Sequence, residues 1–198
     1  MNKIKNFKMY KKCLIIVDMV NGFVRNGVLH DEEIARCIPF QIKLIKEALV
    51  SDDTLVIFIK DTHEENSKEF QRFGNTSHCL KGTNESELID ELKPFENMDN
   101  VISIEKNSTS FMEAPQFREI IKELDNVLEF NLSGCCTDIC VFNGSMGLAN
   151  YLDEWNKQAV IKVYLDAIAT YNEKNRQNYV DSAFLLMEQQ GIKLIKKK

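Results

Sequence analysis

The sequence has no surplus of positive charge, no long apolar run and no cysteine spacing that would staple a small domain, and each absence removes a class of function. Lysines and arginines number 25 against 30 acids, a formal net charge of −5 over 198 residues. With no basic stripe to override that balance, nucleic acid is not an expected partner. The lysines near the start (Lys3, Lys5, Lys8, Lys11, Lys12) precede only five apolar residues, Cys13 to Val17, before Asp18. That run is too short for a signal peptide or a membrane span, so no membrane partner and a cytoplasmic location are expected. Three of the six cysteines fall between positions 135 and 140. Such bunching suits no disulfide framework for a domain this size and fits a reducing compartment. Internal repeats and low-complexity linkers are missing too. What remains is ordinary globular usage, 44% hydrophobic and 28% charged, in a single domain over 1–198 with room for a sizeable core.

Apolar runs at 13–17, 55–59, 101–104, 127–132, 160–165 and 192–195 read as six strands. The first two are continuous runs, the pattern of strands buried on both faces. Helix signals lie between them. Ile34, Ile38, Ile42, Ile45 and Leu49 stripe 32–50, with Pro39 an awkward interruption. A short helix is expected at 86–92, one at 116–124 opened by Pro115, one at 142–156 and one at 173–190. Residues 62–83 are polar, lack periodicity and hold two of the three histidines; a loop that long inside a compact domain is usually functional. Strands alternating with helices imply right-handed crossovers. The expected class is α/β, a three-layer α/β/α, doubly wound (Rossmann-like) architecture on a six-stranded, mainly parallel sheet.

Sheets of this kind bind ligands beyond the carboxyl ends of their strands. The residues leaving those ends are Asp18, Asp61, Lys106, the turn at 134–140 and Asp166. In that turn, Ser133-Gly134-Cys135-Cys136-Thr137-Asp138-Ile139-Cys140-Val141, a glycine joins a strand to a helix, with Thr137 or Asp138 as N-cap and Cys140 in the first turn. Converging N–H groups and the helix dipole favour an anion, so the Cys140 thiol is expected to ionise more easily than a free one. A lone cysteine is more often a small buried hydrophobe. Several ionisable groups and a thiol on one rim favour catalysis.

Four of these pieces, in this order and spacing, resemble the isochorismatase-like cysteine hydrolases, and within them the nicotinamidases. Ile15-Ile16-Val17-Asp18-Met19-Val20-Asn21-Gly22-Phe23 looks like the segment carrying the family's catalytic aspartate. Asp61-Thr62-His63 with His78-Cys79-Leu80-Lys81-Gly82-Thr83 looks like its metal-binding loop, here at about 61–83. Glu105-Lys106-Asn107-Ser108-Thr109-Ser110-Phe111 is similar to the segment with the catalytic lysine, and 134–141 to the nucleophile turn. The chain also differs from many relatives: Val20 replaces glutamine, Thr62 tryptophan, Glu64 a proline, and Gly74-Asn75-Thr76-Ser77 the proline before the second histidine. These positions bear on which amide is taken. Cys136, where alanine is common, bears on it less.

The resemblance implies hydrolysis of nicotinamide, or a similar small aromatic amide, to the acid and ammonia through a thioester on Cys140. Asp18 is implied as base and Lys106 as the group that holds Asp18 and stabilises charge on sulfur. The backbone N–H groups of Cys136 and Cys140 are implied as oxyanion hole, across a cis peptide between Cys135 and Cys136. Asp61, His63 and His78 are implied as ligands of a divalent metal, with zinc first and iron or manganese as alternatives. Glu65 and Glu69 lie in the same loop and either could add a ligand, although loop acids are more often simply solvated. Phe23 and Phe111 are candidates for the ring pocket, and a homo-oligomer (dimer or tetramer) is implied. The rival readings are a metal-independent ureido or carbamoyl amidase of the same family, a redox thiol protein using Cys136 and Cys140, and a non-haem iron oxygenase. The last leaves Cys140 and Lys106 without a role.

Overall fold

The computed structural model describes residues 6–196; Lys3, Lys5 and the tail beyond Lys196 lie outside the described residues. Six strands form one sheet: β1 (Lys12–Val17), β2 (Thr54–Asp61), β3 (Val101–Lys106), β4 (Glu129–Cys135), β5 (Val160–Ala169) and β6 (Lys193–Ile195). Their order is β3-β2-β1-β4-β5-β6, and every pairing is parallel. The helices are α1 (Asn21–Val24), α2 (Ile38–Leu49), α3 (Lys68–Arg72), α4 (Pro115–Glu123), α5 (Phe142–Glu154) and α6 (Arg176–Gln189).

Strand alternation divides the core in two. Cys13, Ile15, Val17, Leu55 and Ile57 face α4, α5 and α6 through Phe117, Ile121, Leu148, Leu152 and Met187. Leu14, Ile16, Val56 and Phe58 face α2 through Ile38, Leu44 and Ile45. Each fully buried Ile, Leu or Phe contributes roughly 1.5–3 kcal/mol, and β1 is apolar from Cys13 to Val17. Because β1 sits where the strand order reverses, its carboxyl end opens a crevice between the two helical layers.

Several expectations need correction. The stripe at 32–50 is two elements, a 3₁₀ turn Glu32–Cys37 and then α2, and Pro39 sits in the first turn of α2, where its missing N–H costs nothing. Residues 86–92 form no helix; instead Leu88 bridges to Val20. Gly134 is not a turn. It lies inside β4 at φ +120°, paired with Val17, and a Cβ there would come within 2.0 Å of the Val17 carbonyl oxygen. β5 runs on to Ala169, so Asp166 lies within the strand and not at its exit. All six cysteines are free and buried. Among the described residues no helix is long and apolar enough to cross a membrane.

Candidate active site

Three adjacent strands deliver one charged side chain each from their ends. Asp18 follows β1 in a left-handed conformation at φ +53°, which turns the chain away from the sheet while its N–H stays bonded to the Ile59 carbonyl. Asp61 ends β2 and is paired in register with Lys106, the last residue of β3. Just beyond them the Thr62 N–H donates to the Lys106 carbonyl at 2.8 Å. β4 continues through the cis peptide Cys135–Cys136 into a wide helical turn, Thr137–Val141, that precedes α5 and carries Cys140. Cys136 occupies the N-cap position with no side-chain cap bond, and neither Thr137 nor Asp138 has that role. Asp138 instead accepts from Thr170 Oγ1 at 2.6 Å.

The Lys106 ammonium joins these ends. It lies 2.8 Å from Asp18 Oδ2, 2.5 Å from Asp61 Oδ1 and 3.8 Å from Cys140 Sγ. Asp18 and Lys106 are buried from solvent. Burial pushes the Asp18 carboxyl up to about 7, against the pull of Lys106. Burial also opposes ionisation of Asp61, yet Lys106 and His63 hold it well below the usual carboxylate range. The Lys106 ammonium is disfavoured by burial but is held in its charged form by the two carboxylates. Burial raises the Cys140 thiol well above its ordinary value, with Lys106 acting the other way. The expectation of an easily ionised resting thiol is therefore corrected: desolvation outweighs the helix end. Both Asp18 carboxylate oxygens lack an aligned hydrogen bond, although Oδ2 is within ion-pair distance of Lys106. Asp18 thus faces both the Lys106 ammonium and the Cys140 thiol from a site closed to water.

A second cluster shares Asp61. Donor atoms of Asp61, His63, Glu69 and His78 all lie within 4.8 Å of one another. His63 Nε2 is 2.9 Å and His78 Nε2 is 3.4 Å from Asp61 Oδ2, and both face Glu69 Oε1, at 3.7 and 4.0 Å. The other ring nitrogens are spoken for: His63 Nδ1 faces Asn107 Oδ1 at 2.7 Å, and His78 Nδ1 faces the Thr76 carbonyl at 2.9 Å. Those acceptors suit a proton on Nδ1 in each ring, which would leave both Nε2 atoms to ligate a cation when one is bound. Two imidazoles and two carboxylates converging in a buried site fit a divalent cation. Of the two glutamates considered from the sequence, Glu69 joins the cluster and Glu65 is exposed.

Asp61, His78 and Cys140 also line a cavity of about 440 Å³, together with Phe23, Cys136 and Tyr171. Phe23 is a wall residue as expected, its ring centroid 5.9 Å from that of His78. Phe111 is not. Its ring fills the core against Phe117 and over the bare Cα of Gly144, where a Cβ would come within 2.1 Å of it. Asp18, Lys106 and His63 sit behind the wall. The sequence reading missed Asn107, Tyr171 and Arg176; only Asn107, directly after Lys106, had a positional cue.

Residues 12–196 match the family model described as the isochorismatase domain. A Bacillus subtilis (strain 168) protein described as an uncharacterized isochorismatase family protein, PncA, is 30% identical over 172 residues, 83% of this chain and 89% of that one. The structure of nicotinamidase/pyrazinamidase PncA from Bacillus subtilis superposes with a TM-score of 0.74 at 25% identity, covering 93% of this chain and 98% of that one. N-carbamoylsarcosine amidase from Thermoplasma acidophilum gives 0.70 at 24%, covering 94% and 96%, a likeness of fold. By a match that spans nearly its whole length, the chain belongs to the isochorismatase family of hydrolases.

Proposed function

We propose that the protein hydrolyses a small aromatic carboxamide, with nicotinamide as the model substrate, to the carboxylic acid and ammonia through a thioester on Cys140. The observation that carries this reading is the Lys106 ammonium, buried between the Asp18 carboxylate and the Cys140 sulfur at one wall of the cavity. Ionised Asp18 takes the Cys140 proton as sulfur attacks the amide carbon, so the thiolate forms only when it is used. Lys106 stays protonated and stabilises the charge now on sulfur. The carbonyl oxygen becomes an oxyanion facing the backbone N–H groups of Cys136 and Cys140. The C–N bond breaks as Asp18 returns its proton to the departing nitrogen, releasing ammonia and leaving the thioester. A water then gives a proton to Asp18 and attacks, the C–S bond breaks, and the proton returns to sulfur.

Asp61, His63, His78 and Glu69 would hold a divalent cation, zinc first by donor type, with iron and manganese as alternatives. When bound, such a cation supplies a Lewis-acid site for a ring nitrogen. Phe23 and Tyr171 flank the ring and limit water. The metal-free carbamoyl amidase alternative has no use for two histidines and two carboxylates converging beside the nucleophile. The homo-oligomer remains part of the proposal and is checked by light scattering. The activity is tested by ammonia release from nicotinamide with wild type, Cys140→Ala and chelator-treated protein. Release lost in both treatments supports the reading. Release that survives Cys140→Ala overturns the thioester, and release that survives chelation overturns the ring-anchoring cation.

A further inference from the structure

One wall of the cavity carries a cation that the chemistry above does not use. Arg176, the first residue of α6, lines the cavity on the side of the nucleophile turn. Its guanidinium is fixed in place. Nε lies 3.0 Å from Asp138 Oδ2, Nη1 donates to Glu173 Oε2 at 3.3 Å, and the group rests over the Tyr171 ring, 5.0 Å from its centroid. Asp138 is in turn held by Thr170. Yet Nε and Nη2 are buried with no aligned hydrogen-bond acceptor in the protein. A guanidinium brings five donors, and burying any of them unmatched is costly. A tether between α6 and the nucleophile turn needs only the Asp138 contact. The open donor at Nη2 is surplus to a tether and suits a ligand.

The acids on the cavity wall are already engaged, Glu173 as the acceptor from Arg176 Nη1. Asp61 and Glu69 are turned into the cation cluster. Asp31 already accepts from the backbone N–H groups of Glu33 and Asn172. Arg72, at the end of α3, lines the cavity and forms no ion pair among the described residues. The cavity, at about 440 Å³, is also larger than an unsubstituted single-ring amide needs.

We propose that the substrate carries, besides its amide, a carboxylate that Arg176 receives through Nη2, so that the substrate class is a carboxylate-bearing aromatic amide. The proposal rests on the amidase reading above. Arg is suited to it because a preorganised planar donor set binds carboxylate better than a flexible ammonium does. Arg176 would then set specificity and take no part in bond making.

The test compares kcat/KM for nicotinamide and for pyridine carboxamides with one ring carboxylate at each open position. It uses wild type, Arg176→Met and Arg176→Lys, with Tm recorded for each; the lysine variant keeps a counter-charge for Asp138. Wild type is expected to favour at least one carboxylated amide roughly 10–100-fold, and both variants to collapse that ratio, as loss of one charge-assisted hydrogen bond predicts. A wild-type preference for nicotinamide overturns the proposal while leaving the amidase reading intact. So does a fall in both amides by the same factor, the result a tether alone predicts, or an unchanged ratio in Arg176→Lys. Ammonia from none of the amides refutes the amidase reading and this inference with it.

Discussion

Replacing Lys106 with methionine tests whether the site is held by charge or by packing. Methionine keeps most of the side-chain volume, so little cavity is created. What is lost is the only cation within ion-pair distance of Asp18 among the described residues, and one that also lies 2.5 Å from Asp61. Removing one partner of a buried ion pair costs about 3–5 kcal/mol, because the remaining charge has neither water nor a counter-ion. For a chain of this size that is a fall in Tm of about 6–20 °C. The pH dependence identifies the cause. In wild type Asp18 has a folded pKa of about 7, above its unfolded value, so the native state binds the extra proton and stability falls as pH rises through that range. Asp61 is depressed and behaves oppositely, its contribution present above the usual carboxylate range and lost only in acid. Without Lys106, burial raises Asp18 further and is opposed at Asp61 only by His63 and His78, so up to two protons, not one, are taken up by the native state below pH 7. At about 1.4 kcal/mol per proton per pH unit, the penalty should shrink by about 2 kcal/mol between pH 7 and 5.5. Urea unfolding of both proteins, stripped with chelator so that no cation substitutes for the lysine, reads this directly. A penalty below about 1 kcal/mol at pH 7, or one that does not change with pH, refutes the assignment of Lys106 as counter-ion to two buried carboxylates.

Asp18→Asn should lower kcat about 10²–10⁴-fold with little change in stability at neutral pH, since the asparagine needs no proton to be buried neutral. In wild type, kcat/KM for nicotinamide should rise through pH of about 7 as Asp18 becomes ionised, and a flat stopped-assay profile from pH 6 to 8 would exclude it as base. Asn107→Ala removes the acceptor that fixes His63 Nδ1–H, so cation affinity should weaken about 10–100-fold in a chelator competition, with folding unchanged. Equal affinity would mean that Ser67, 3.2 Å from the same nitrogen, holds the ring alone. Gly134→Ala should cost about 4 kcal/mol or more, because φ +120° and a 2.0 Å approach to Val17 leave a side chain no position. A soluble variant with unchanged Tm would contradict the β1–β4 register.

The strands and the residues at their ends were legible in the sequence because burial on both faces leaves a continuous apolar run that stops where the first charge appears. That is why Asp18 reads as lying beyond its strand; β2 and β3 run two residues past their apolar runs, so Asp61 and Lys106 are their last residues. The failures are equally physical. Gly134 read as a turn because glycine frees the backbone, but here its missing Cβ lets β4 lie against Val17, a contact between residues over a hundred positions apart. Phe111 read as a pocket aromatic although its partner is the bare face of Gly144, and nothing local distinguishes the two fates. Arg176 had no cue, because the orphaned donor exists only once α6 is packed against the nucleophile turn.

Cys140 shows most clearly where local reasoning stops. Its position at the start of a helical segment argues for an acidic thiol, and that argument is sound for a partly exposed helix end. The fold instead buries the sulfur, and desolvation acts on the thiolate over the whole surface it would present to water. The two effects differ in reach: the helix end fades within a turn, whereas burial is set by every element that closes the crevice. In the proposed reaction a thiol that rests protonated cannot attack unaided, so the proton would leave as the bond forms. That requirement is what gives Asp18, raised to about 7 by burial, its proposed role. It also gives a reason for Lys106 to sit between base and sulfur: as the proton moves to Asp18, the negative charge would pass from carboxylate to thiolate, and one ammonium faces both ends of that transfer.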